Sequence, residues 1–202
     1  MLPPLETTLP VLMLWTALGY LCGSVPFGLL VTRIFGLGNL REIGSGNIGT
    51  TNVLRTGSKA AAATTLLLDG GKGAAAVLLA RALAGEDAAQ LAGLAAFIGH
   101  CYPVWLGFKG GKGVATFLGL MLALAWPVGI ACCVTWLFAA ALSRISSMGA
   151  LTAAVTAPLW SFALGYAPGT LLTCLLAAAI LWRHKDNISR LRAGTEPKIG
   201  QK

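Results

Sequence analysis

The sequence predicts an all-α integral membrane protein: a polytopic bundle of about seven transmembrane helices, with its N-terminus outside and its C-terminus cytoplasmic. Three observations carry this expectation. Hydrophobic residues make up 56% of the 202-residue chain and charged residues only 11%; mean hydropathy is +0.75, far from the soluble norm. Apolar runs of roughly 20 residues recur along the chain. Lys and Arg number 15 against 7 Asp and Glu, a net charge of +8, and the bases cluster between the runs.

The first run covers Leu9 to Val31, with Pro26 as its expected kink. The preceding MLPPLETT carries Glu6 and lacks the positive region of a signal peptide, so this run is expected to stay as a span. The second run, Lys59 to Leu83, is expected to be interrupted at Asp69-Gly-Gly-Lys72-Gly73. The third covers Ala88 to Leu106. The chain is then apolar from Val114 to Leu142, around Trp126-Pro127-Val128-Gly129, and from Met148 to Trp182, around Gly165 to Gly169. Each of these last two reads as one long span or as a hairpin of two short ones.

Charge decides between them. Arg33, Arg41, Arg55 and Lys59 follow the first run, Lys109 and Lys112 the third, and Arg144 the fourth. Arg183, Lys185, Arg190, Arg192, Lys198 and Lys202 follow the last, whereas Glu6, Glu86 and Asp87 belong to the opposite side, with Arg81 as the nearby cation. Placing every basic cluster in the cytoplasm requires hairpins at Pro127 and Pro168. Some limbs then have only about 14 residues, short for a bilayer; five spans with a re-entrant segment is the alternative. One membrane-embedded domain, 1–202, is expected, with its informative loops on the cytoplasmic face. The five cysteines, Cys22, Cys101, Cys132, Cys133 and Cys174, lie in or beside apolar runs and show no metal-ligand spacing, so they read as packing residues.

The loop GSGNIGTTNVLR, residues 44–55, contains Gly44-x-Gly46-x-x-Gly49 with Asp69 about 20 residues on. That pattern matches a dinucleotide fingerprint, but the fingerprint needs a preceding buried strand and a parallel sheet. Arg41-Glu42-Ile43 and flanking spans stand there instead. Lys109-Gly-Gly-Lys112-Gly113 resembles a phosphate loop. It lacks the required Gly, Leu106 standing in that position, and Gly113 follows the Lys in place of Ser or Thr. Lys72 fails the same test. The physics outlasts the patterns: glycines let backbone N–H groups approach an oxyanion, and a helix starting after the loop adds its positive end. Lys112 and Arg55 add charge, Arg55 with a two-pronged donor, and Ser45, Asn47, Thr50, Thr51 and Asn52 offer further donors. The expected ligand is a phosphate or carboxylate without nucleoside specificity. Nucleic acid is not expected for a chain embedded in lipid.

Three stretches together go further. GSGNIGTTNVLR (44–55), GHCYPVWLGFKGGKGVAT (99–116) and HKDNISRLRAGTEPK (184–198), with DGGKG (69–73), resemble in order, spacing and span pattern the bacterial acyl-phosphate:glycerol-3-phosphate acyltransferase family. The resemblance covers nearly the whole chain; Leu106-Gly107 is its least family-like patch. It implies a multi-pass enzyme of the bacterial inner membrane with its site at the cytoplasmic face. The implied reaction moves a fatty acyl group from acyl phosphate to the 1-hydroxyl of glycerol 3-phosphate. Lysophosphatidic acid and inorganic phosphate result, in the first acylation step of phospholipid synthesis. Acyl phosphate, glycerol 3-phosphate and membrane lipids are the implied partners, with no cofactor, no metal and no obligate protein partner.

Motif matching assigns Ser45, Gly46, Asn47 and Thr51 to an oxyanion or phosphate pocket, and Arg55 and Lys112 to phosphate neutralisation. His184, Asn187, Arg190 and Lys198 would close over glycerol 3-phosphate. Ser146 or Ser147 joins them, Gly49, Asn52, Gly110 and Gly111 complete the cradle, and Glu196 orients Arg190 or Arg192. Asp69 and Lys72 form a structural or functional ion pair within a span, and His100 reads as structural. No residue pattern offers a His-x4-Asp base: Trp105 and Ser189 stand where Asp would be. The base is therefore either the donor's own phosphate or His184. The rival from another class is a small-anion membrane transporter, which would place its site at mid-bilayer between inverted repeats; no repeat is found.

Overall fold

The computed structural model describes residues 2–200; Lys202 of the basic tail lies outside the described residues. The helices are α1 Leu9–Gly23, α2 Phe27–Ile34, α3 Thr50–Leu54, α4 Lys59–Ala84, α5 Glu86–Cys101, α6 Val114–Leu124, α7 Trp126–Ser143, α8 Ser146–Ala163, α9 Thr170–Arg183 and α10 Lys185–Arg192. Single 3-10 turns occupy Leu40–Glu42, Val104–Leu106 and Ala167–Gly169, and no strand occurs among the described residues.

The packing is inverted relative to a water-soluble bundle. Ala76, Ala80, Ala88, Ala92, Ala96, Ala153, Ala154 and Ala157 form much of the interior. Leu67, Leu83, Phe138 and Leu142, each more than 70% exposed, point outward. Small residues inside and large apolar ones outside suit a lipid solvent, where helices associate through close backbone approach. Gly19 and Gly23 of α1 show why. A Cβ at Gly19 would lie 2.4 Å from the Ala92 carbonyl oxygen, and one at Gly23 would lie 2.0 Å from that of Ala96. A Gly-x-x-x-Gly face of α1 thus rests on an Ala-x-x-x-Ala face of α5.

The first span breaks at Pro26, which supplies no N–H, and resumes as α2. The second shows no interruption. α4 runs unbroken for 26 residues through Asp69-Gly-Gly-Lys72-Gly73, which corrects the expected break. Three residues of poor helix propensity cost about 1 kcal/mol each at most; a break inside an apolar bundle would orphan backbone groups at several kcal/mol each. The glycines are also packing sites. A Cβ at Gly73 would meet the Thr116 carbonyl at 2.8 Å, and Gly119 of α6 lies so close to Gly70 that its Cβ would meet that carbonyl at 2.1 Å. The third helix is shorter than expected, ending at Cys101 before a 3-10 turn.

The chain doubles back at Ala125, between α6 and α7, where Gly129 packs on Leu122; Pro127 sits in the first turn of α7, where its missing N–H costs nothing. It turns again through Gly165 (φ +80°) and the Ala167–Gly169 turn. α6, with 11 residues, is about 16 Å long. Hydrogen bonds sort the loops into two ends. Thr7 meets Asp87 and Ala84, Arg81 meets Glu86 and the carbonyls of Ala123 and Leu124, and Gln90 meets Tyr166 at one end. Loops 39–55, 102–113 and 144–147 and the segment 183–199 interlock at the other.

Candidate active site

The site is built on loops at this second end. Gly44 (φ +52°) and Gly46 (φ +66°) take left-handed conformations that an L side chain rarely adopts, and they curl the segment before α3. Asn52 holds that curl: its Oδ1 accepts from the Ser45 N–H at 3.2 Å and its Nδ2 donates to the Leu40 carbonyl at 3.1 Å. It is 2% exposed. Expected as a substrate contact, Asn52 instead has its side chain committed to shaping the loop. Arg55 lies over Gly44, where a Cβ would come within 2.5 Å of its Nη1. Gly49 caps α3, and Thr51 on that helix shares a 3.0 Å hydrogen bond with Ser146.

The second wall is Gly110-Gly111-Lys112. Arg183, at the end of α9, donates to the Gly111 carbonyl at 3.0 Å and to the Gly110 carbonyl at 3.2 Å, and stacks 4.9 Å from the Tyr102 ring centre. Arg41 bridges the two glycine loops through the carbonyls of Lys109 and Gly46. Lys112 donates to Asn187 Oδ1, and Asn187 Nδ2 donates to Glu196 Oε1. Ser147 donates to the same oxygen at 2.7 Å, while Arg190 Nε reaches Oε2 at 2.7 Å. Glu196 therefore orients Arg190 and also Asn187. Lys198 lies on the tail segment that the Ile199 N–H ties to the Arg144 carbonyl at 2.7 Å.

Between these walls lies a cleft of about 240 Å³ that takes in Ser45, Gly46, Asn47, Gly110 and Lys112 from the expected set. Arg41, Trp182, Arg183, Lys185 and Asp186 complete the lining. The structure thus gathers the three motif stretches. Asn187, Glu196, Ser147 and Arg190 stand behind Lys112, and Arg55, Thr51 and Ser146 behind the first loop. Asp69 and Lys72 are not in the cleft; they are paired at 2.8 Å in the interior. Arg41, Trp182, Arg183, Lys185 and Asp186 were not expected here. The two arginines carried a visible signal only as topology-setting charge, and which cations face a cleft is a matter of folding, not of spacing.

Burial pushes Lys112 down from 10.5 to about 8, with Glu196 opposing the shift and Arg190 adding to it. Burial likewise pushes His184, which follows α9, down from 6.5 to about 4. Its Nδ1 lies 2.8 Å from the Ile180 carbonyl and donates to it, which favours the charged ring, but burial outweighs this and favours the neutral imidazole. Burial works against the charge of Glu196, but hydrogen bonds from Ser147, Asn187 and Arg190 hold its carboxyl below the ordinary value. Among the described residues, no group of three His, Cys, Asp or Glu is placed to hold a metal; the charge facing the cleft comes from side-chain cations.

An all-helical bundle with lipid-suited packing, whose polar loops converge at one end on a cation-lined cleft, defines the class: an integral membrane protein with a cationic cleft at one end of its bundle. The family model for glycerol-3-phosphate acyltransferase matches residues 13–194, and the chain belongs to that family. It is 79% identical over 202 residues to the glycerol-3-phosphate acyltransferase of Ruegeria sp. (strain TM1040), covering 100% of both chains. It is 67% identical to that of Ruegeria pomeroyi over 201 residues, covering 100% of this chain and 99% of the relative. The crystal structure of PlsY (YgiH), an integral membrane glycerol 3-phosphate acyltransferase, in its glycerol 3-phosphate form superposes with a TM-score of 0.88 at 37% identity. That match covers 94% of this chain and 96% of the other. The lysophosphatidic acid form gives 0.86 at 36% identity, covering 94% and 95%.

Proposed function

We propose that this enzyme transfers a fatty acyl group from acyl phosphate to the 1-hydroxyl of glycerol 3-phosphate, releasing lysophosphatidic acid and inorganic phosphate. The observation that carries the reading is Lys112, aimed into a cleft of converging cations and held from behind by the Asn187–Glu196 chain. Both substrates bear phosphate, and the acceptor is the compound bound in the related crystal structure.

Acyl phosphate is a mixed anhydride, so no acyl-enzyme is required. The acceptor oxygen attacks the carbonyl carbon, the C–O bond to phosphate breaks, and the hydroxyl proton must leave. His184, at about 4, is a weaker base than a phosphate dianion, whose conjugate acid has a pKa near 6. The proton therefore goes to the donor's own phosphate, which departs as hydrogen phosphate, and the balance closes without a protein base. Ser45, Gly46 and Asn47 line the oxyanion or phosphate pocket with Thr51 behind them; Lys112 neutralises charge with Arg55 behind the first loop; and Asn187 and Arg190, held by Glu196, position Lys112 and the tail that carries Lys198. Positioning and fixed charge supply the catalysis.

The chain forms one domain of seven spans in the bacterial inner membrane, with its N-terminal end outside. The motif loops and the C-terminus lie in the cytoplasm. Support comes from the charges: Arg41, Arg55, Lys112, Arg144 and Arg183 belong to the site end, Glu6, Glu86 and Asp87 to the other, as positive-inside orientation asks.

The test is phosphate release by the purified protein from palmitoyl phosphate and glycerol 3-phosphate in a lipidic medium. Turnover that collapses in Arg55→Ala and Lys112→Ala is expected. Absence of release from a well-folded preparation would refute the reaction; full activity in both variants would refute the site.

A further inference from the structure

Below the cleft lies a buried cluster that the proposed chemistry does not use. The side chains of Asp69 and Lys72, on α4, are each 2% exposed and pair at 2.8 Å. Lys72 also donates to the Val25 carbonyl at 2.8 Å, at the break between α1 and α2. His100, 4% exposed, sits with Nδ1 3.5 Å from the same Asp69 oxygen. Three charged or titratable groups inside a membrane bundle are costly. Packing alone would be met by apolar residues.

The loop that carries Lys112 rests on this cluster. A Cβ at Gly111 would lie 2.2 Å from His100 Nε2, and a Cβ at Gly113 would lie 2.2 Å from the Phe97 ring. The Gly111 N–H also bonds to the His100 carbonyl at 3.0 Å. Phe97 and His100 are three apart on α5, hence on one face. Lys112 is therefore bracketed by two glycines, each seated flush on an α5 ring. One ring is fixed by a packed apolar core. The other has Asp69 beside the ring nitrogen facing away from Gly111.

We infer that His100 is a positioning residue for acyl transfer: its imidazole, oriented by the Asp69–Lys72 pair, is the floor that sets the height of Gly111 and so aims Lys112 at the substrate phosphate. The inference rests on the reading of Lys112 given above. His100 touches no substrate; it acts through the loop. A shift of about 1 Å at a charged group can cost on the order of a hundredfold in rate. A ring in place of a small side chain spans more than that.

The experiment is a pair of mutant cycles on the full chain in lipidic medium, reading kcat and KM for phosphate release. Hydrogen exchange of the peptide covering 107–113 is followed in the same samples. His100→Ala is expected to lower kcat about tenfold and to speed exchange at Gly110 and Gly111, while His100→Gln keeps most of the rate. In the Lys112→Ala background, His100→Ala is expected to cost less than about twofold, because residues that act as one unit are not additive. Gly111→Ala is expected to be impaired, and Gly111→Ala with His100→Ala to be about threefold or more better than Gly111→Ala alone, since the imidazole it clashes with is gone. Additive losses in both cycles, or a double variant no better than Gly111→Ala, overturn the inference while wild-type turnover upholds the reaction. A folded wild type that releases no phosphate defeats the reaction instead. The exchange data then decide alone: unchanged protection of 107–113 in His100→Ala overturns the positioning role.

Discussion

Raising the pH should discharge Lys112 long before any ordinary lysine. Its pKa falls from 10.5 to about 8 because burial opposes the ammonium, a difference on the order of 3 kcal/mol. The substrate phosphates titrate near 6 and are constant above pH 7. kcat/KM, which reports the free enzyme, should therefore fall with a midpoint near 8. At pH 9 about one-tenth of the lysine stays charged, so the rate should be about tenfold below its pH 7 value. Bound phosphate favours the ammonium, so kcat, which reports the complex, should hold to a higher pH. Unfolding is not the cause of the loss. A lysine with a lowered folded-state pKa binds fewer protons folded than unfolded between about 8 and 10.5, so its contribution to stability rises with pH across that window. The assay is phosphate release from pH 6.5 to 10 with a parallel thermal melt. Lys112→Arg, charged throughout, should flatten the alkaline limb at a reduced plateau. A flat wild-type profile to pH 9.5, or a limb near 8 surviving in Lys112→Arg, would refute the reasoning.

The acid side should report phosphate and not histidine: kcat/KM should fall with a midpoint near 6, kcat with a lower one because the cations of the cleft favour the bound dianion, and His184→Gln should leave both midpoints in place even where it lowers the plateau. Glu196→Gln, which weakens the partners of Arg190, Ser147 and Asn187, should reduce turnover about tenfold and lower the melting temperature. Because the Glu196 pKa is depressed below 4.5, its contribution to stability is complete above that value and is lost as pH falls through the folded-state value; acid melts of wild type and variant should converge. Gly23→Ala, whose methyl would sit 2.0 Å from the Ala96 carbonyl, should push α1 off α5 and cost about 1–3 kcal/mol. An unchanged melting temperature would show that the helices are not in backbone contact.

What the sequence made legible follows from which physics is local. Pro26, Pro127 and the Gly165–Gly169 segment mark chain breaks through backbone chemistry that acts within a few residues, and the structure turns or kinks the chain at or beside each. The interval 69–73 misled because glycine has two uses. Its low helix propensity is local, but its lack of a Cβ is tertiary, and here Gly70 and Gly73 let α6 lie against α4. The site divides in the same way. Lys112, Asn187 and Glu196 are recognisable in their motifs. That Asn52 looks inward, and that Arg183 and Arg41 clasp the glycine carbonyls, depends on the approach of segments more than 60 residues apart for two of those clasps. Charge counting registered both arginines but assigned them to topology, a role any surface cation fills.

The charges around the cleft also bear on why the donor should be an acyl phosphate. Arg41, Lys112, Arg183 and Lys185 line it against a single acid, Asp186. The arginines that hold carbonyls satisfy their geometry that way, yet a carbonyl dipole does not cancel a full charge. Burial already holds Lys112 at the edge of deprotonation, so the free cleft is short of negative charge, and anions relieve it. Ground-state relief alone would only tighten binding. Rate is gained where charge grows. On the proposed reaction, it grows on the oxygen that bridges acyl carbon and phosphorus as that bond breaks. The fixed cations and the bracketed Lys112 need no reorganisation to meet that charge. A thioester donor would develop its charge on sulfur, with no phosphate at the breaking bond for Lys112 to hold. Its discrimination from acyl phosphate is then electrostatic in origin, and Lys112→Ala should narrow it from the acyl-phosphate side.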